Sequence, residues 1–403
     1  MMKDLIRKMP IRDIDKLRYD LSIFKSRSWS GRMADDRFFA NVFISEAIVS
    51  LNNSLDLFEK GYFDCAFYCL RSSLDLSTTV SYLHDAPEED RQDNYIKWVR
   101  KQGWFPSRSE MMKSMEKYGM FCSDMKEKME LVFGDDGLIK RTNRDLNKHV
   151  HKQGYDEFYV MRNHPLDHVK YDDQKFIDEF IRLFKDTVMI VAVMRLLIDP
   201  FPILLLDPEI NSRCPELEEP YDEDFVSDCL SEDIISCFKE TRIYREAYDQ
   251  FIGRESCSEA ILNVKRYWIY DRHEESTIRE QIHLLDSQEV WLAELIFSSP
   301  KVLKITDGCG MLLAQTEVQV PDWGTSGFFE YCRNGEINIP YKGRYISSFN
   351  CFEDGRERRY YFDHSEPFDQ PEIAHIMDYI IKKRFLVMMY YILCGYRICQ
   401  RAI

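Results

Sequence analysis

The sequence predicts a mainly α-helical protein in which a helical bundle over residues 38–205 precedes an α+β region with a small antiparallel sheet over residues 220–403. Two observations predict this fold class. In the first half, apolar residues recur at steps of three and four, which is the period of a helix that buries one face. After about residue 290, short apolar runs alternate with turn residues, which is typical of antiparallel strands.

The bundle is predicted to begin with a helical hairpin. Apolar positions from Phe39 to Phe58 lie on one helical face, and Gly61 ends the pattern. A second such pattern runs from Tyr62 to Leu83, so the two helices should pair antiparallel across the short connection at 59–61. Further helices are predicted over 111–132, 138–152 and 172–198, with a loop at 134–137.

Two segments are predicted to lie outside the bundle. Residues 1–37 are basic and polar, and we expect an N-terminal basic arm with one short helix. Prolines and acidic residues are concentrated after residue 200, which predicts a linker over 206–219.

The second half should contain the sheet. Apolar runs on either side of Asp307-Gly308, at 302–305 and 311–320, predict a β-hairpin with a tight turn. Shorter strands are expected around 336–339 and 344–349, and a last helix over 371–401. No role is predicted for this region.

The composition limits the classes of function. The formal net charge of −15 does not attract nucleic acid in bulk, so any RNA binding needs a local basic surface or a partner. The 12 cysteines form no CxxC pair and no secretory leader precedes them, which predicts reduced thiols in a cytoplasmic protein without structural zinc. The apolar runs at 187–206 and 385–394 are interrupted or too short to cross a membrane.

One segment has the residue types needed for RNA cleavage. Residues 140–151 read KRTNRDLNKHVH. An arginine can bind the scissile phosphate, and a histidine can accept or donate protons near neutral pH. On a straight helix Arg144 and His151 would project about 20° apart, whereas Arg144 and His149 would project about 140° apart. A kinked helix end could still use His149, so both histidines stay open.

The segment from Arg144 to His149 resembles the Arg-x4-6-His motif of the HEPN superfamily. These are helical-bundle domains, and many are metal-independent ribonucleases of bacterial defence or toxin systems. Asp145 matches the polar residue that often follows the motif arginine, and the stretch from Leu70 to Asp75 is similar to the helix that precedes the motif. The resemblance covers residues 38–205.

This resemblance implies an endoribonuclease that acts by 2′-hydroxyl attack at a cleft formed by a homodimer, without metal or cofactor. A regulatory protein partner could hold such an enzyme inactive until it is triggered. The implied catalytic residues are Arg144 with His149 or His151, and the implied supporting residues are Asp145, Asn147, Arg71 and Asp75.

The sequence is also compatible with two alternative functions. The first is a non-catalytic helical scaffold or partner-binding protein, either unrelated to the superfamily or a degenerate member of it. The second is a metal-dependent hydrolase that uses acidic residues with the histidines between residues 149 and 168. Its candidate ligands are Asp145, His149, His151, His164, Asp167 and His168.

A basic cluster lies in the second half. Arg356, Arg358 and Arg359 precede Tyr360, Tyr361 and Phe362. Basic residues beside aromatic ones can bind single-stranded RNA by stacking. The same pattern also fits a hairpin turn followed by a buried strand. Arg359 and His364 repeat the spacing of the motif in this β-rich region.

Overall fold

A computed structural model describes residues 8–28, 38–85, 96–98, 106–154, 157–159, 172–215, 220–317, 332, 335–353 and 356–381. These residues form two compact units. The helical unit comprises Met1–Asn211 and Glu218–Gly253, and the mixed unit comprises Ser212–Leu217 and Arg254–Ile403. The mainly helical content and the small antiparallel sheet confirm the predicted fold class.

The helical unit begins with three helices and ends with a series of shorter ones. Its helices, in chain order, are α1 (Ile14–Ser28), α2 (Phe38–Glu59), α3 (Phe63–Asp85), α4 (Arg108–Tyr118), α5 (Cys122–Lys128), α6 (Glu130–Phe133), α7 (Leu138–Val150), α8 (Asp173–Ile198), α9 (Phe201–Leu204), α10 (Pro208–Asn211), α11 (Glu223–Phe225), a π-helix (Val226–Leu230), α12 (Glu232–Lys239) and α13 (Arg242–Ile252).

The predicted hairpin of α2 and α3 is confirmed, and α8 packs against both helices. Phe58 is fully buried where the three helices meet, and its ring stacks on Phe180 with centroids 3.9 Å apart. Asp172 caps the N-terminus of helix α8, where its side chain accepts a hydrogen bond of 3.0 Å from the backbone N–H of Lys175. Most of the periodic apolar residues of the hairpin are buried in the core of the unit, whereas Val42 (50% exposed) and Tyr68 (51% exposed) of the predicted pattern face solvent.

The ends of this unit differ from the prediction. The expected basic arm contains the 15-residue helix α1, which packs against α2 and buries Leu17, Leu21 and Phe24. Phe24 also stacks on Phe225 at 5.1 Å, and residues 220–253 belong to the helical unit. The last boundary between the units therefore lies at 253–254, beyond the predicted linker.

The predicted helix over 111–132 is divided into α4, α5 and α6. The first break is at Gly119, where the carboxylate of Asp85 accepts backbone hydrogen bonds from Phe121 (2.8 Å) and Cys122 (3.1 Å). A Cβ atom on Gly119 would lie 2.0 Å from Asp85 Oδ2, so only glycine fits beside this carboxylate. Side-chain capping from a distant helix thus ends a segment whose local pattern is continuous.

The mixed unit places helices against one sheet. Its elements are α14 (Glu259–Tyr267), a 3₁₀ turn (Arg272–Glu274), α15 (Glu275–Glu280), a 3₁₀ turn (Ile282–Leu284), α16 (Ser287–Ser298), β1 (Val302–Asp307), β2 (Leu312–Gln315), β3 (Ile339–Tyr341), β4 (Arg344–Glu353), β5 (Arg356–His364) and α17 (370–381). The strands lie in the order β2-β1-β5-β4-β3, and all neighbours are antiparallel.

The sequence located most of this sheet. The predicted hairpin is formed by β1 and β2, and the strand expected at 344–349 is part of β4. The strand expected at 336–339 begins later, at Ile339. The predicted last helix is present over 370–381, and its remainder lies outside the described residues, as does the apolar run at 385–394. None of the described helices has both the length and the apolar character needed to span a bilayer.

Candidate functional site

Helix α7 carries the predicted motif, and its faces have different surroundings. Ile139, Thr142, Leu146 and His149 are buried. The side facing solvent carries a row of exposed basic or ionisable residues, here called the outer stripe: Arg141, Arg144, Lys148 and His151. The 3.6-residue period separates these two sets, because residues three or four apart share a face.

His149 belongs to the buried face and is only 2% exposed. Its ring stacks on Phe67 with centroids 3.9 Å apart. Nδ1 lies 2.6 Å from Glu157 Oε2 and 2.7 Å from the Tyr159 hydroxyl, and Nε2 lies 3.5 Å from Glu179 Oε1. Both ring nitrogens therefore face protein groups, and in this conformation His149 is not accessible to a substrate.

The electrostatics of this buried cluster favour a protonated histidine. Burial lowers the pKa of His149, but the contacts with Glu157 and Glu179 outweigh it and raise the pKa above its usual value. The pKa of each carboxylate is lowered. At Glu157 burial by itself would raise the pKa, but the ion pair with His149 more than offsets burial. At Glu179 the hydrogen bond to His149 is the main cause. His149 thus stabilises two half-buried carboxylates.

This cluster predicts a pH-dependent contribution to stability. Because the folded-state pKa of His149 is raised above 6.5, its contribution is complete below that pH and is lost as the pH rises through the folded pKa. We expect wild type to exceed His149→Gln in free energy of unfolding by more at pH 5.5 than at pH 8.5. Urea unfolding at both pH values measures this difference. His151→Gln changes an exposed histidine of the same helix end and should lower stability at pH 5.5 by less than His149→Gln does. An equal difference at both pH values for His149→Gln would contradict the cluster.

Arg144 is well exposed, with 63% of its side chain accessible. Its guanidinium lies 3.8 Å from the carboxylate of Asp136, which is itself 82% exposed, so the contact is weak. His151 is also exposed and is the C-cap residue of α7, where its backbone N–H donates to the backbone carbonyl of Asn147 at 2.9 Å. Arg144 therefore shares the outer stripe with His151, while His149 lies on the buried face.

Three of the four predicted supporting residues come together. Arg71 pairs with Asp75 at 3.1 Å, donates to Asn143 Oδ1 at 2.8 Å and also donates to Asn147 Oδ1. Arg108 joins them, with Nε 3.5 Å from Asp75 Oδ1. Arg108 and Asn143 were not among the predicted site residues. The recurrence of polar residues at 140, 143 and 147, on one face of α7, was the available signal for Asn143.

Asp145 does not belong to this group. It accepts hydrogen bonds from Lys148 at 2.9 Å and from Arg182 of α8 at 3.0 Å. Burial raises the pKa of Asp145, but these two cations outweigh it and the net pKa is lowered. Asp145 therefore joins α7 to α8 by ion pairing.

The alternative of a metal-dependent hydrolase needs a cluster of metal ligands. Among the described residues, no group of three or more His, Cys, Asp or Glu residues is arranged to hold a metal ion. His164, Asp167 and His168 lie outside the described residues.

The second match to the motif spacing lies in the sheet. His364 is fully buried, with Nε2 2.9 Å from Ser347 Oγ and Nδ1 2.7 Å from Glu366 O. It stacks on Phe368 at 3.7 Å, and burial lowers its pKa to about 4. Tyr360, Tyr361 and Phe362 are also buried on β5. The aromatic residues of this region are therefore part of the sheet core, as the hairpin interpretation predicts.

Comparison with known proteins assigns no relative to this site, since no protein-family model, curated protein or solved structure matches the chain.

Proposed function

We propose that the helical unit binds RNA along the outer stripe of α7 and cleaves it without a metal ion, as the resemblance to the HEPN superfamily implies. The observation that carries the proposal is the stripe itself. Two arginines, a lysine and a histidine project to solvent from one helix face of a chain whose net charge is −15. A local basic surface of this kind is what an acidic protein needs to bind a phosphate backbone.

In this proposal Arg144 binds the scissile phosphate with its planar guanidinium and stabilises the charge that develops there. One histidine removes the proton of the 2′-hydroxyl, whose oxygen then forms a bond to phosphorus. The bond from phosphorus to the 5′ oxygen breaks, and a second histidine protonates this leaving oxygen. The products are a 2′,3′-cyclic phosphate and a 5′-hydroxyl. A homodimer would supply both histidines as His151 from two copies.

The position of the two histidines supports His151 for this role rather than His149. His151 is exposed on the stripe of Arg144, whereas His149 is held by Glu157 and Glu179. A general acid or base must come within hydrogen-bond distance of the substrate. The bacterial defence or toxin setting and a regulatory protein partner remain part of the proposal.

The test is RNA cleavage in the presence of EDTA. We expect wild type to cleave, and Arg144→Ala and His151→Ala each to slow cleavage by at least about 100-fold, because each removes a group that acts in the transition state. Arg245→Ala in α13 and His273→Ala in the 3₁₀ turn at Arg272–Glu274 change exposed residues of the same types and are the matched controls. Product ends should be cyclic phosphate and 5′-hydroxyl.

Three outcomes would overturn this assignment. Cleavage that stops in EDTA would indicate a metal-dependent reaction. Unchanged cleavage by both stripe variants would remove the site from α7. A folded His149→Gln variant that loses cleavage, beside an active His151→Ala variant, would assign proton transfer to His149.

A second candidate is a scaffold that binds RNA without cutting it. The burial of His149 favours this function, because it withdraws the histidine of the shorter motif spacing from solvent. In this case RNA binding should weaken with added salt, and Arg141→Ala or Lys148→Ala should each reduce the slope of log affinity against log salt by about 1. Binding without any cleavage product distinguishes the scaffold from the nuclease.

A further inference from the structure

A second polar surface of the helical unit includes the face of α7 that carries Lys140, Asn143 and Asn147. A cleft of about 370 Å³ opens between α3, the first turns of α4, and α7. We call it the α4–α7 cleft. Its polar lining is Arg71, Arg108, Lys113, Lys140, Asn143 and Asn147, with Ser107 and Ser109 at the start of α4.

The cations of this cleft outnumber the carboxylates that could neutralise them. Glu116 also lines the cleft, but it pairs with Lys126 at 3.0 Å. Asp75 is shared between Arg71 at 3.1 Å and Arg108 at 3.5 Å. Lys113 is exposed and forms no ion pair within the described part of the chain. Lys140 pairs with Asp135 at 2.7 Å, so the excess positive charge of the cleft lies at Lys113 and at Arg71 and Arg108, which share one carboxylate.

Arg108 is the most unusual member of the cleft. Its side chain is only 9% exposed, and its sole carboxylate contact among the described residues is the one shared with Arg71. Burial, together with the positive charge of Arg71, lowers the pKa of Arg108 to about 10. The carboxylate of Asp75 acts in the opposite direction. A buried cation without a counter-ion of its own is costly, so the arrangement favours an added anion.

The remaining groups suit phosphate oxygens. Asn143 and Asn147 use their side-chain oxygens to accept from Arg71, and neither amide N–H₂ donates to another group in the described chain. A capping box formed by Ser107 and Glu110 occupies the start of α4, so the side chains of the cleft, and not the helix N-terminus, would bind the phosphate. Arginine and lysine together supply the charged donors that phosphate sites commonly use.

We propose that the α4–α7 cleft binds the phosphate group of a phosphomonoester. Its volume is near the lower end for small-molecule sites, which suits one phosphorylated nucleotide or chain end and not a length of duplex. A phosphomonoester carries up to two negative charges near neutral pH, which matches the excess of cations. The cleft uses none of the outer-stripe residues, although it includes Arg71 and Asn147, which the resemblance implies as supporting residues, so nucleotide binding is tested separately from RNA cleavage.

The test is binding of adenosine 5′-monophosphate to the full chain by isothermal titration calorimetry. We expect the nucleotide to bind and adenosine, which lacks only the phosphate, not to bind. Lys113→Glu should weaken binding at least about tenfold, because it replaces a charge-assisted contact by repulsion. Lys117→Glu is the matched control: it is exposed on the same helix, is not among the residues lining the cleft, and should change affinity by less than about twofold.

Arg108→Gln gives a second measurement at the buried position and should also abolish binding while circular dichroism remains that of the wild type. If Arg108→Gln does not fold, the Lys113→Glu and Lys117→Glu pair still decides. Equal affinity for the nucleotide and adenosine, or equal weakening by Lys113→Glu and Lys117→Glu, would overturn the proposal. So would the absence of nucleotide binding at low salt.

Competition then identifies the source of the phosphate. A short RNA with a 5′-phosphate that displaces the nucleotide, beside a 5′-hydroxyl RNA that does not, would assign the cleft to RNA ends. If neither RNA displaces it, a free nucleotide is the ligand. Arg144→Ala should bind the nucleotide normally, so a failure of the proposed cleavage and a failure of this site give different results.

Discussion

Replacing Arg195 with alanine should lower the free energy of unfolding of the helical unit by about 3–5 kcal/mol. The Arg195 side chain is 1% exposed. Its Nε donates to Ser28 O at 3.0 Å, and its Nη1 and Nη2 donate to Asp199 O (2.9 Å) and Asp199 Oδ2 (3.3 Å). The variant would leave the carboxylate of Asp199 and the carbonyl of Ser28 buried without these donors, and that loss is the main cause of the effect.

Urea unfolding followed by circular dichroism measures this change. Arg182→Ala is the matched control on the same helix. Arg182 also makes two ion pairs, with Asp145 and Asp186, but its side chain is 47% exposed. Solvent screening should limit its effect to about 1 kcal/mol or less. A similar loss for Arg182→Ala and Arg195→Ala would show that burial of the pair does not determine its importance.

Replacing Phe58 with alanine should destabilise the same unit by about 3–5 kcal/mol. Phe58 is fully buried and contacts four other rings. Its centroid lies 3.9 Å from Phe180, 5.0 Å from Phe63, 5.4 Å from Phe176 and 6.4 Å from Phe67. Truncation would open a cavity where α2, α3 and α8 meet, and these long helices cannot collapse around it without moving other contacts.

Tyr62→Ala tests whether the loss of stability comes from removing any aromatic ring or from removing a buried one. Tyr62 lies in the turn of the same hairpin and is 47% exposed. Its removal should cost less than about 1 kcal/mol, since little apolar area is lost from the core. Thermal unfolding of the two variants should therefore separate clearly. Equal shifts in melting temperature would contradict the position of Phe58 at the centre of the core.

The sequence predicted those parts of the fold that follow from a local period. The α2–α3 hairpin, helix α8 and the β1–β2 hairpin were found because burial on one face repeats along each element. The helix phase also predicted that Arg144 and His151 share a face. Features that depend on distant partners were missed. Asp85 divides the segment after α4, and the ring of Phe24 contacts Phe225 of the helical unit, 201 residues later.

The candidate site divides in the same way. The amino-acid sequence by itself determined that Arg144 and His151 project in nearly the same direction two turns apart, because helical geometry fixes relative direction along one helix. Only the tertiary structure decided which surface each face meets. Phe67, Glu157 and Glu179 surround His149, and Arg71 and Arg108 share the carboxylate of Asp75. The physical reason is that burial and ion pairing arise from packing between elements, and spacing along one chain segment does not specify that packing.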